Sequence, residues 1–89
     1  MKSIFYTRQF KKDIRLAEKR RKDIVALKHV LAALVGGHLL PAKYQDHSLR
    51  GPFTGYRECH IEPDWLLIYK TSESEIRFVR TGTHADLFG

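Results

Sequence analysis

A chain of 89 residues with 43% hydrophobic content is read as a single domain, residues 1–89, with one small core and modest stability. Its single cysteine excludes an internal disulfide and fits a reducing, cytoplasmic setting. No apolar run approaches the roughly 20 residues needed to span a bilayer, and the N-terminus has too short an apolar stretch for a secretory signal.

The net charge of +6 is concentrated. Residues 8–22 hold eight Lys or Arg against Asp13 and Glu18, and the rest of the chain balances. Such an excess is either the electrostatic footprint of a polyanion partner or a solvated helix face whose basic end suits a helix C-terminus.

In chain order, Lys2–Tyr6 reads as a first strand. Thr7 is placed to cap a helix from Arg8 to about Arg20, with Phe10, Ile14 and Ala17 along one face. Asp23 opens a second helix through Val35, striped by Ile24, Leu27, Leu31 and Leu34, and Gly36-Gly37 stops it. The two stripes are core faces of an antiparallel helical hairpin.

His38–Gly55 is loop-like, with Pro41, Gly51, Pro52 and Gly55. Tyr56–His60 reads as a strand, Glu62-Pro63-Asp64 as a turn and Trp65–Lys70 as a buried strand. After a polar turn at Thr71–Ser74, the strand Glu75–Gly82 alternates Ile76, Phe78 and Arg80 against Arg77, Val79 and Thr81. There is no repeat, low-complexity tract or linker. The order β-α-α, loop, β-β-β predicts an α+β fold, an antiparallel sheet with the helical hairpin packed on one face.

Antiparallel strands return to the edge they left. His60 and Asp64 flank the first turn, and the last strand brings His84 back to the same edge, with His47 in the loop nearby. Asp64 is placed to orient His60 or hold a proton. Imidazole titrates near pH 6.5, so it serves as acid or base at neutral pH. Metal-free RNA cleavage needs a base for the 2′-hydroxyl, a cation for the phosphate and an acid for the leaving 5′-oxygen. Histidine suits the first and last roles, and the planar fork of Arg80 or Arg57 suits the second. Phe88 is placed to stack on a base.

Competing readings are scattered structural histidines and a zinc site on His47, His60, Asp64 and His84, although no HExxH or CxxC spacing supports zinc. His29 and His38 read as surface or capping residues. Alternation along the strand turns Cys59 into the core and away from His60. Glu58 and Glu62 read as salt-bridge or orienting groups.

Tyr56–Lys70, containing Glu62-Pro-Asp-Trp65, and Arg80–Gly89, containing Arg80-Thr-Gly-Thr-His84, resemble the YafQ-type toxins of the RelE/ParE superfamily of bacterial type II toxin–antitoxin systems. The likeness extends to Lys43–Gly51 and the charged segment Leu16–Asp23, nearly the whole chain. It implies a compact β-α-α-β-β-β fold and an mRNA endoribonuclease that cuts translated message in the ribosomal A site. The expected products are a 2′,3′-cyclic phosphate and a 5′-hydroxyl, with no metal or other cofactor.

Position by position, the resemblance makes His47, His60, Asp64 and His84 the catalytic residues. The resemblance makes His84 the proton donor; it does not say which histidine is the base, a role assigned here to His47 with His60 and Asp64 supporting. Phe88 matches a terminal aromatic and Arg80 a family arginine. Glu58 stands where the YafQ type carries aspartate.

Substrate contacts are then expected from Arg80, Phe88, Arg57, Lys11, Lys12 and Arg15, the last three against the ribosome's phosphates. The implied partners are the ribosome, mRNA and a silencing antitoxin through which the complex binds operator DNA, with no membrane. ParE-like relatives inhibit DNA gyrase without cutting RNA, so gyrase binding is the alternative function on this fold.

Overall fold

A computed structural model of the chain describes residues 2–89. β1 (Ser3–Tyr6) leads into α1 (Arg8–Lys19) and α2 (Ile24–Val35). β2 (His47–Ser48), β3 (Arg57–Glu62), β4 (Trp65–Thr71) and β5 (Glu75–Gly82) follow, and α3 (His84–Phe88) comes last.

The helix ends follow from their sequence. Thr7 accepts from the Phe10 N–H at 3.0 Å, and its hydroxyl donates to the Val79 carbonyl at 2.7 Å, so one residue caps α1 and ties it to β5. α1 closes without a glycine. Arg21 takes φ +57° while the Lys22 N–H reaches the Ala17 carbonyl at 3.0 Å. Asp23 caps α2 through the Ala26 N–H at 3.1 Å. Gly37, at φ +76°, releases the chain afterwards.

The five strands run in the order β1-β5-β4-β3-β2. Strands β2 to β5 are antiparallel, as expected, but β1 runs parallel to β5, with Ser3 opposite Glu75 and Tyr6 opposite Phe78. The direction of an edge strand is set by where the helical hairpin must lie, and nothing in residues 2–6 encodes it locally. β2 is a further departure, because it forms within the segment read as loop. At two residues it is too short to show a period.

Phe10, Leu27, Val30 and Leu34 from the helices meet Cys59, Trp65, Leu67, Tyr69, Ile76 and Phe78 from the sheet. Cys59 is fully buried there, and burial pushes its thiol up to about 12.

A bulge breaks the expected alternation of β5. Tyr69 pairs with Phe78 but Ile68 pairs with Arg80, leaving Val79 as the extra residue. Ile76 and Phe78 therefore face the helices, whereas Arg80 is moved to the opposite face beside Ile68. Strict alternation places all three together, so this corrects the sequence reading.

Candidate active site

Cross-strand partners share a face. Glu58 opposes Ile68, which opposes Arg80, and His60 opposes Leu66, which opposes Gly82. The face away from the helices thus carries Glu58, His60 and Arg80 in two adjacent rows. Beneath them Leu66 and Ile68 are 0% and 1% exposed, so these polar groups stand on a packed floor.

His84 enters this face from the first position of α3. Thr83 accepts from the Asp86 N–H at 3.1 Å and Asp86 accepts from the Thr83 N–H at 3.0 Å, a reciprocal capping pair. Arg20, just past α1, grips Asp86 at 2.6 and 3.2 Å. That guanidinium, with the Thr83 N–H, holds the Asp86 carboxyl well below the usual carboxylate range. A five-residue helix is marginal alone, and these contacts fix it.

Asp64 Oδ1 accepts from the His84 backbone N–H at 2.9 Å and lies 2.6 Å from His84 Nδ1. The two bonds, the backbone one foremost, hold the Asp64 carboxyl below its ordinary value. An ionised carboxylate only accepts, so it fixes the proton on Nδ1 and leaves Nε2 of a half-exposed imidazole open to solvent. The sequence reading gave Asp64 to His60. Instead His60 Nδ1 faces the Pro63 carbonyl at 3.3 Å, and Asp64 orients His84. The two imidazoles lie 5.8 Å apart, centre to centre.

The acid that serves His60 is Glu58. Its carboxylate is 6% exposed, with Oε1 3.5 Å from His47 Nε2 and 3.7 Å from His60 Nε2. His47 Nδ1 sits 2.6 Å from the Gln45 carbonyl, an obligate acceptor, so Nδ1 carries a proton and Nε2 is directed to Glu58. The histidines divide into a Glu58 pair and an Asp64-bound His84. Among the described residues no group of three or more His, Cys, Asp or Glu side chains is arranged to hold a metal ion.

Arg80 is held from behind. Asp13 on α1 is 7% exposed and accepts from Arg80 Nε at 2.8 Å, Arg80 Nη2 at 3.3 Å, the Thr81 N–H at 3.1 Å and Gln9 at 3.1 Å. β1 pairs with β5 only as far as Phe78. Asp13 takes over the edge beyond it and sets the guanidinium.

Phe88 is 45% exposed and meets Phe53 edge-to-face at 5.5 Å. Arg57 lies apart from this group, on the face of β3 opposite Glu58 and His60, tied to Asp46 at 3.2 Å and Ser48 at 2.9 Å. Lys11, Lys12 and Arg15 are exposed on α1, on the far side of the sheet. His29 and His38 stay exposed outside the cluster.

Sequence reasoning missed Asp13 and the bridging position of Glu58. Asp13 had a signal, since it lies three residues after Phe10 and four before Ala17, on the apolar stripe. Glu58 had one in its alternation with Cys59, which puts it on the His60 face.

A family profile described as bacterial toxin of type II toxin–antitoxin system, YafQ, matches residues 2–89. The chain belongs to the YafQ toxin family. It is 52% identical over 89 residues to the mRNA interferase toxin YafQ of Escherichia coli strain K12, covering 99% of this chain and 97% of that protein. The crystal structure of YafQ from E. coli strain BL21(DE3) matches with a TM-score of 0.97 at 50% identity, covering 100% of both chains. YafQ in the E. coli DinJ–YafQ complex matches at 0.95, with 50% identity and 100% of both chains covered. The α+β architecture of this YafQ-family toxin is that of the E. coli protein. No helix among its described residues is long and apolar enough to cross a membrane.

Proposed function

We propose that this toxin is a ribosome-dependent endoribonuclease that cuts mRNA in the A site without a metal. His47, assisted by Glu58 and His60, takes the proton of a 2′-hydroxyl. The 2′-oxygen attacks phosphorus, and the charge that develops on the phosphate oxygens is met by Arg80. The P–O5′ bond breaks as His84 Nε2–H protonates the leaving oxygen. A 2′,3′-cyclic phosphate and a 5′-hydroxyl result.

The observation that carries this reading is the 2.6 Å contact of His84 Nδ1 with Asp64, which turns the opposite ring nitrogen outward and sets a carboxylate beside the ring; the imidazolium, which carries Nε2–H as well, is the donor in the step proposed. Arg57, on the far face, has no part in the chemistry proposed. Phe88 supplies a stacking surface for a base. Lys11, Lys12 and Arg15 contact ribosomal phosphates. A cognate antitoxin silences the toxin in the cytoplasm, by analogy with the E. coli pair, and carries the complex to operator DNA.

Cut mapping on a defined mRNA in a translating extract tests this, with wild type against His84→Ala. A nuclease-only assay on purified ribosomes is repeated with a chelator selective for transition metals, magnesium being kept so that the ribosome stays assembled. Codon-phased cuts by wild type alone, unchanged by chelator, are expected. His84 is exposed, so its loss should shift stability by less than about 0.5 kcal/mol. Equal cutting by both proteins refutes the role of His84. No cutting with gyrase inhibition refutes the ribonuclease.

A further inference from the structure

β2 begins at His47, opposite Glu58, so the rest of β3, on to Glu62, has no strand along its outer edge. A cleft of about 360 Å³ opens there, lined by Lys43, Tyr44, Gln45, His60, Glu62 and Pro63. Neither the fold nor the acid–base steps above require a recess at this place. It shares His60 with the site, and the Gln45 that lines it also fixes His47 through its carbonyl at 2.6 Å. Gln45 holds a left-handed backbone, φ +49°, to do both.

The lining chemistry suits a nucleobase. Tyr44 is half-buried, packed against the core, so its ring is held still. Lys43 Nζ lies 5.2 Å from the ring centroid, marking a face that accepts a cation or a planar base. A base stacking there displaces the ammonium toward the adjoining phosphate. Gln45 is exposed, and its side-chain amide offers both a donor and an acceptor. Glu62 is tied only loosely, to Lys22 at 3.9 Å. An ionised carboxylate only accepts, so Glu62 favours an exocyclic amine and disfavours uracil, whose one edge donor, N3–H, is flanked by two carbonyl oxygens.

We infer that this cleft is a nucleobase subsite for the nucleotide next to the scissile phosphate, with Tyr44 the stacking platform and Gln45 and Glu62 the edge readers that select a base bearing an exocyclic amine. The inference rests on the ribonuclease reading above and adds a specificity element to it.

The test maps cut positions in a translating extract on messages that vary each base around a single site. Wild type, Tyr44→Ala, Tyr44→Phe, Glu62→Gln and the catalytic control His84→Ala are compared, with a thermal melt of each. Wild type should disfavour uracil at one position beside the cut, and Glu62→Gln should lose most of that discrimination at unchanged melting temperature. Tyr44→Ala should lower cutting about tenfold, within the range of one base stack, and Tyr44→Phe should restore it.

Glu62 is 44% exposed in its side chain, so Glu62→Gln reads specificity even if Tyr44→Ala unfolds. If His84→Ala abolishes cutting while Glu62→Gln leaves base preference unchanged, the subsite is overturned and the ribonuclease stands. If wild type cuts nothing, both are overturned.

Discussion

Replacing Asp13 by alanine tests the joint through which α1 holds β5. The carboxylate is 7% exposed and receives both Arg80 nitrogens, the Thr81 amide and Gln9. Removing one partner of a buried ion pair costs roughly 3–5 kcal/mol, because the other charge is stranded. Arg80 keeps 30% of its side chain in water, so solvent recovers part of that, leaving about 2–3 kcal/mol with the orphaned Thr81 N–H included. Alanine is the better helix former by roughly 0.5 kcal/mol.

The net loss is about 2 kcal/mol, or roughly 8–16 °C in Tm for a domain of this size. Thermal and urea unfolding followed by circular dichroism measure it. In an Arg80→Ala background the same substitution should cost only about 1 kcal/mol, the share of the Thr81 amide. A loss below about 0.5 kcal/mol, or additive single costs, would mean that the pair is solvated and refute the reasoning.

Asp64→Asn keeps the shape but removes the obligate acceptor that orients His84. Cleavage should fall roughly ten- to hundredfold, part of the range a general acid supplies, with Tm lowered only slightly because the group is exposed. Asp64 and Asp86 both have carboxyls held below the ordinary range, by His84 and by Arg20. A depressed folded-state pKa gives stability that is complete above the unfolded value, about 3.9, and is lost as pH falls through the folded one. The α3 tether should therefore persist at pH 5 and release only in stronger acid, read by carboxyl carbon NMR shifts.

Cys59, its thiol pushed up to about 12 by burial, should resist a thiol reagent at pH 8 and react once the chain is unfolded in denaturant. Lys11→Glu, Lys12→Glu and Arg15→Glu combined should weaken ribosome binding and flatten its salt dependence by roughly 0.7 in slope per lost phosphate contact. An unchanged slope would make this helix face a bystander.

The sequence was most legible where period and punctuation coincide. Pro63 and the Trp65–Tyr69 run mark the β3–β4 hairpin without help from the rest of the chain, and Thr7, Asp23 and Gly37 mark helix ends through local hydrogen bonds. What stayed hidden depends on distant partners. Nothing near Val79 announces a bulge, because the extra residue answers to Phe78 docking under α1 and Arg80 reaching Asp13. The parallel direction of β1 is set across the same gap.

In the candidate site, the convergence of His60, Asp64 and His84 followed from antiparallel geometry alone. Which acid served which histidine did not, since Asp64 and Glu58 differ by a few ångströms that only side-chain packing decides. Arg57 was legible but unread, because the alternation that buries Cys59 also sends Arg57 to the helix side.

The bonds from Ser3 to Ser74, Thr7 to Val79 and Asp13 to Arg80 join groups 67–72 positions apart in the chain. Contacts of such high sequence separation form late and slow folding. During synthesis β1 and α1 wait without their partner while every intervening element is made, and β5 and α3 emerge after all of them. A nascent chain lacking that last strand has neither Arg80 nor His84, and its α1 has no edge to grip. The cluster of His60, Asp64, Arg80 and His84 is therefore complete only when the two ends of the fold close on each other.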